Sequence, residues 1–398
     1  MDATKNLQDL VASIVESGHA PGVVALVARG DDVQVAAAGS ADLEGTAPVT
    51  PGSIFRIASI TKPVTAAAVM VLVDEGRLDL GDPVGRWLPE LAAPVVVRTP
   101  DAPVDDVVPA VRPITVEHLL TSRAGWGFPS DFGLPAVQPL FTELRQGPPS
   151  DGVPAPDLWL AALARIPLLA QPGEAWLYNT CSDVQGLLVE RVTGRPFAEF
   201  LAERVLGPLG MADTGFWVPP ASMDRFTTAY RPGPDGALVV ADRPDGGWSR
   251  PPAFASGAGG LVSTARDWYR FGRMLLDGGR AGDRRILSER AVRLMTTDHL
   301  TQAQRAAGEL FLEGQGWGFG GSVDVARRSA DESWVVPGRY GWVGGTGTAA
   351  HVVPATGTVA VLLTQREMTG PSSTPALHAF WRYAAGAPVP DVHIAARH

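Results

Sequence analysis

Two sets of β-forming runs lie at opposite ends of this chain, with helix-forming sequence between them. Near the start, residues 22–28 and 33–38 are apolar runs separated by Arg29-Gly30-Asp31-Asp32, a hairpin signature. Near the end, strand-like runs surround Trp342 and cover 349–353 and 358–364. Helical patterns are predicted over 59–75, 116–122, 158–164, 181–193, 197–205, 263–276, 288–295 and 375–383, with long loops at 94–113 and 130–156. Strands from both termini suggest one sheet built from the two ends, with the middle packed beside it. The expected fold is therefore α/β (α+β): an antiparallel sheet flanked by helices, with a second, mostly helical region. Residues 1–80 together with 256–398 are expected to form the sheet domain, and 81–255 the helical one.

Composition narrows the function. With 45% hydrophobic residues in 398, the chain can bury a large core. A net charge of −9 argues against a nucleic-acid-binding surface. No stretch approaches eighteen uninterrupted apolar residues, so no membrane span is expected. The first residues lack a charged start followed by an apolar run, so no secretory signal is visible and a cytoplasmic location is expected. Cys181 is the single cysteine, which leaves neither an intramolecular disulfide nor a Cys-based zinc site. The histidines show no His-x-x-x-His spacing, so no metal is expected. Only Lys5 and Lys62 among the 33 basic residues are lysines, and guanidinium cannot deprotonate to replace a lysine base.

Lys62 belongs to the first chemical constellation, Phe55-Arg56-Ile57-Ala58-Ser59-Ile60-Thr61-Lys62-Pro63. Ser59 and Lys62 are three apart where a helix opens, so their side chains share one face. A serine hydroxyl becomes an effective nucleophile when a neighbouring base takes its proton. A helix N-terminus adds free backbone N–H groups that stabilise a developing oxyanion. Pro63 places the helix start close to Ser59, because proline fits only the first turn. Ser-x-x-Lys alone also describes a solvated helix cap.

The surrounding sequence is more specific. The segment from Ser53 to Ala66 resembles the active-site segment of class C β-lactamases, D-alanyl peptidases and family VIII carboxylesterases. The resemblance continues through Gly76-Arg-Leu-Asp-Leu-Gly-Asp-Pro-Val, through 114–126, and through Gly257-Ala-Gly-Gly-Leu-Val-Ser-Thr-Ala-Arg-Asp267. It implies a serine hydrolase that forms an acyl-enzyme on Ser59 and needs no cofactor. Its second element matches Tyr178-Asn179-Thr180, which makes Tyr178 a partner of Lys62 in moving the Ser59 proton. Thr180 stands at the family's asparagine position, with Asn179 one residue early, and both are expected to border the substrate. The third element matches 340–348, where Trp342 replaces the lysine of β-lactamases, as in family VIII esterases. Gly345 would complete an oxyanion hole with Ser59, and Gly344 and Trp342 would border the substrate.

Trp126 lies in a loop and is expected to line the substrate pocket, a core position being the alternative. His351 is either a supporting group or an ordinary strand histidine. The implied substrate is a small carboxylic ester or amide. The alternatives are a β-lactamase, a D-amino-acid amidase or peptidase, an acyltransferase, or a non-catalytic binding relative.

Overall fold

The computed structural model describes residues 6–146, 152–329 and 332–389. Its main sheet contains β1 (Gly22–Arg29), β2 (Asp32–Gly39), β3 (Gly316–Trp317), β4 (Ser322–Val323), β5 (Tyr340–Gly344), β6 (Thr348–Val353) and β7 (Thr358–Thr364). The strand order is β3-β4-β5-β6-β7-β1-β2, antiparallel at every pairing. The last strand therefore lies beside the first, with Val23 opposite Thr364 and Arg29 opposite Thr358. The principal helices are α1 (Leu7–Glu16), α2 (Lys62–Asp74), α3 (Thr180–Thr193), α4 (Ala265–Leu276) and α5 (Pro375–Ala384).

Side-chain alternation divides the sheet between two cores. Val24, Leu26 and Ala28 of β1 join Val359, Val361 and Leu363 of β7 on one face. Val23, Ala25 and Val27 join Ala360 and Leu362 on the other, beneath α1 and α5. Both faces are covered, which is why these strands read as nearly unbroken apolar runs. The larger core continues without a break from the sheet into residues 81–255, through Val69 of α2, Leu188 of α3, and Trp159 and Leu160.

Helix α2 is buried on every side from Lys62 to Leu72. A helix apolar all round belongs in an interior, where each fully buried Val or Leu contributes roughly 1.5–3 kcal/mol. Lys62 is carried into that interior at the helix's first residue, and Pro63 follows in the first turn. Residues 58–61 form a 3₁₀ turn, so α2 starts three residues later than the sequence pattern suggested. The region 94–113, read as loop, contains a small hairpin of Val95–Val97 and Val107–Pro109. The loop 130–156 contains a short helix, Gln138–Thr142. Among the described residues, no helix is long and apolar enough to cross a membrane.

Candidate active site

Ser59 lies on the 3₁₀ turn Ala58–Thr61 and Lys62 directly follows it. Side chains at i and i+3 eclipse in 3₁₀ geometry, so the two heads are stacked together. Lys62 Nζ is 3.0 Å from Ser59 Oγ. Ala58, just before Ser59, has φ of +45°, a left-handed conformation that costs a non-glycine residue energy. Such strain persists where surrounding contacts hold it. Here Thr346 Oγ1 donates to the Arg56 carbonyl at 2.7 Å, and Thr348 Oγ1 to that of Ile57 at 2.9 Å.

Lys62 is 1% exposed, and its ammonium has two further partners: Asn179 Oδ1 at 2.9 Å and the Ala258 carbonyl at 2.6 Å. Both oxygens can only accept. In the neutral amine they take both N–H groups, and the remaining lone pair faces Ser59 Oγ. In the ammonium the third proton points there instead. The same cage therefore serves both protonation states.

Asn179 reaches Lys62 through its backbone. With φ +83° and ψ −67°, it forms the centre of a rare positive-φ γ-turn, closed by the Thr180 N–H on the Tyr178 carbonyl at 3.2 Å. The tight turn swings the asparagine side chain onto Lys62. Thr180 consequently points away: it is fully buried and donates to Gln146 Oε1 at 2.8 Å. The expectation that Thr180 borders the substrate is corrected, because Asn179 faces the site.

Tyr178 is fixed by two backbone hydrogen bonds with Phe128. Its ring centroid is 4.5 Å from Lys62 Nζ, and its phenol oxygen accepts the Trp342 indole N–H at 2.7 Å. Trp342 therefore addresses the tyrosine, a link that residue spacing could not reveal. The Tyr178 ring packs on Phe311 and Trp176, with centroids at 4.7 and 5.8 Å. These aromatics carry no motif that sequence reading could have used.

Strand β5 ends at Gly344, where a Cβ would lie 2.5 Å from the Ile57 carbonyl and 3.3 Å from the Ala58 side chain. The close approach of β5 to the nucleophile turn requires glycine. Gly345 follows, exposed, and among the described residues its N–H meets no acceptor. Gly344→Ala is expected to push β5 from the turn, lowering stability by about 1–3 kcal/mol and reducing turnover more than substrate binding. Thermal unfolding and steady-state kinetics on the same preparation check it.

Trp126 is corrected to a core residue: it is 2% exposed, and its indole N–H donates to the Ile166 carbonyl at 2.9 Å. His351 lies on the sheet face under α5, edge-on to Trp381, and burial holds it well below the usual imidazole range. Cys181 is buried, and desolvation pushes its thiol up to about 12, so it does not compete as a nucleophile. Sequence reading missed Asp183, Gln146 and Ser256, a buried polar cluster behind Lys62.

A serine on a 3₁₀ turn paired with a caged lysine, on an antiparallel sheet flanked by helices, is the arrangement of a serine hydrolase or acyltransferase of the β-lactamase fold. The Beta-lactamase family model matches residues 7–380, and the chain belongs to that family. Protein Rv1367c of Mycobacterium tuberculosis is 38% identical over 90% of this chain and 89% of its own. Esterase EstB of Burkholderia gladioli is 34% identical over 75% of this chain and 74% of its own. Among solved structures, "EstCE1, a hydrolase with promiscuous acyltransferase activity" superposes with a TM-score of 0.76 at 27% identity. That match covers 95% of this chain and 97% of EstCE1.

Proposed function

We propose that this protein hydrolyses small carboxylic esters through an acyl-enzyme on Ser59. The observation that carries the reading is the Lys62 cage, whose two obligate acceptors leave the third direction of Nζ to Ser59 Oγ. Neutral Lys62 takes the Ser59 proton as the Oγ–carbon bond forms. The oxyanion rests on the N–H groups of Ser59 and Gly345, one such donor typically being worth ~3 kcal/mol. As the carbon–oxygen bond to the leaving group breaks, the proton passes to the departing alcohol from Lys62 with Tyr178. Water then attacks the acyl carbon, gives its proton to the same pair, and Ser59 recovers its own as the acid leaves.

Trp342 favours esters over β-lactams. Its indole stands where β-lactamases place a lysine, so that cation is missing for a substrate carboxylate. The likeness to EstB and EstCE1 supports the same choice. The promiscuous acyltransferase activity of EstCE1 also motivates a second reading, acyl transfer to an alcohol.

The test compares p-nitrophenyl esters of increasing acyl length with nitrocefin, with and without an added alcohol. Ester turnover, little nitrocefin cleavage, and an acyl adduct mapped to Ser59 by mass spectrometry are expected. Strong nitrocefin cleavage would move the assignment to a β-lactamase. Preferential formation of the transferred ester would make acyl transfer the main activity.

A further inference from the structure

Behind Lys62 lies a carboxylate that the mechanism above does not use. Asp183 occupies the first turn of α3 and is 4% exposed. Its Oδ1 accepts from Ser256 Oγ at 2.7 Å and from the Ala258 N–H at 3.1 Å. Its Oδ2 accepts from Gln146 Nε2 at 3.2 Å, while Gln146 Oε1 takes the Thr180 hydroxyl. Among the described residues no arginine pairs with Asp183, and the cation that acts on it is Lys62.

These bonds converge on the lysine cage. Asp183 grips the peptide N–H of Ala258, whose carbonyl accepts from Lys62. Through Gln146 it also holds Thr180, the residue that closes the γ-turn presenting Asn179. One carboxylate thus clamps both segments that supply the Lys62 acceptors. Resting on the proposed esterase chemistry, we propose that Asp183 is the positioning residue of this site: its carboxyl group fixes both Lys62 acceptors and thereby aims Nζ at Ser59. No proton moves to or from Asp183 during turnover.

The titratable groups facing Lys62 are Asp183 on α3 and the phenol of Tyr178 just before that helix. Cys181, also on α3, retains its proton. The cage's other contributors, Ser59, Asn179 and the Ala258 carbonyl, are uncharged. Burial raises the proton affinity of Asp183, while Ser256, the Ala258 N–H, Lys62 and Gln146 oppose that rise. Lys62 opposes it as a neighbouring cation, so carboxylate and lysine lie within electrostatic reach of each other.

The composition makes this directly measurable, because the chain contains only two lysines, Lys5 and Lys62. Protein labelled with ¹³C at the lysine side chain is titrated by NMR, and the Lys62 signal is assigned by its loss in Lys62→Arg. In Asp183→Asn the Lys62 side-chain signal is expected to move from its wild-type position as the cage loosens. The kcat should fall at least about tenfold from misplacement of the base, with KM within about twofold. An unmoved Lys62 signal with unchanged kcat would overturn the proposal.

Ser256→Ala provides a second reading should Asp183→Asn fail to fold. Losing a donor to the carboxylate raises the proton affinity of Asp183. The low-pH inflection that Asp183 imposes on the Lys62 signal should therefore move to higher pH. No movement would count against the coupling. The NMR readout needs no turnover, so absence of esterase activity in the wild type would sink the reaction assignment separately.

Discussion

Ester turnover by Ser59→Ala is expected to fall by about ten-thousandfold or more, with the fold intact. Ser59 is only half buried, and removing its hydroxyl leaves Lys62 still bonded to Asn179 and Ala258. No buried group loses its last partner, so the melting temperature should hardly change. Lys62→Arg should cost nearly as much, about a thousandfold, because a guanidinium keeps the charge but cannot take the serine proton. Lys62→Met, closer in volume, separates loss of the base from crowding by the larger head. In the proposed mechanism Ser59 and Lys62 act as one unit, so the Ser59→Ala, Lys62→Arg pair should be no slower than Ser59→Ala alone. The checks are kcat/KM on a p-nitrophenyl ester and intact mass after substrate. Undiminished turnover in Ser59→Ala would refute the acyl-enzyme.

The strands at both ends were legible because burial on two faces leaves apolar runs that only a sheet interior explains, as in β1 and β7. The short strands β3 and β4 were not, because two residues carry no period. Ser59 and Lys62 could be paired from their spacing, and Pro63 located the helix start. The 3₁₀ turn that stacks the two heads depends on Ala58 in a left-handed conformation, for which alanine gives no signal. Asn179 was displaced by one position in the motif, and only the γ-turn at that residue makes the offset work. The cluster of Asp183, Gln146 and Ser256 joins residues 37 and 73 positions apart, a separation that no local pattern encodes. Local chemistry was therefore readable, while the second layer that orients it was set by tertiary contacts.

That second layer is tested most sharply at Tyr178 and Trp342. Tyr178→Phe is expected to lower kcat by roughly a hundred- to ten-thousandfold, the range for losing a proton-transfer group. Ring packing on Phe311 and Trp176 survives the change, but the buried Trp342 indole N–H loses its acceptor, so a stability loss of about 1–3 kcal/mol should accompany the fall in turnover. Trp342→Phe removes the indole N–H that reaches the phenol oxygen at 2.7 Å. A hydrogen bond supporting charge on that oxygen is worth about 1.5–3 kcal/mol, or roughly ten- to a hundredfold in rate. If Trp342 acts through Tyr178, the double variant should be no slower than Tyr178→Phe alone, since the second change then removes a bond already broken. Independent, multiplying losses would instead place Trp342 against the substrate, the role its motif position suggested. The acyl-length profile separates these cases further. A residue acting through the phenol lowers kcat equally for every ester, whereas one lining the pocket changes the preference among them. A uniform loss, absent when Phe already occupies position 178, is the result the structure predicts.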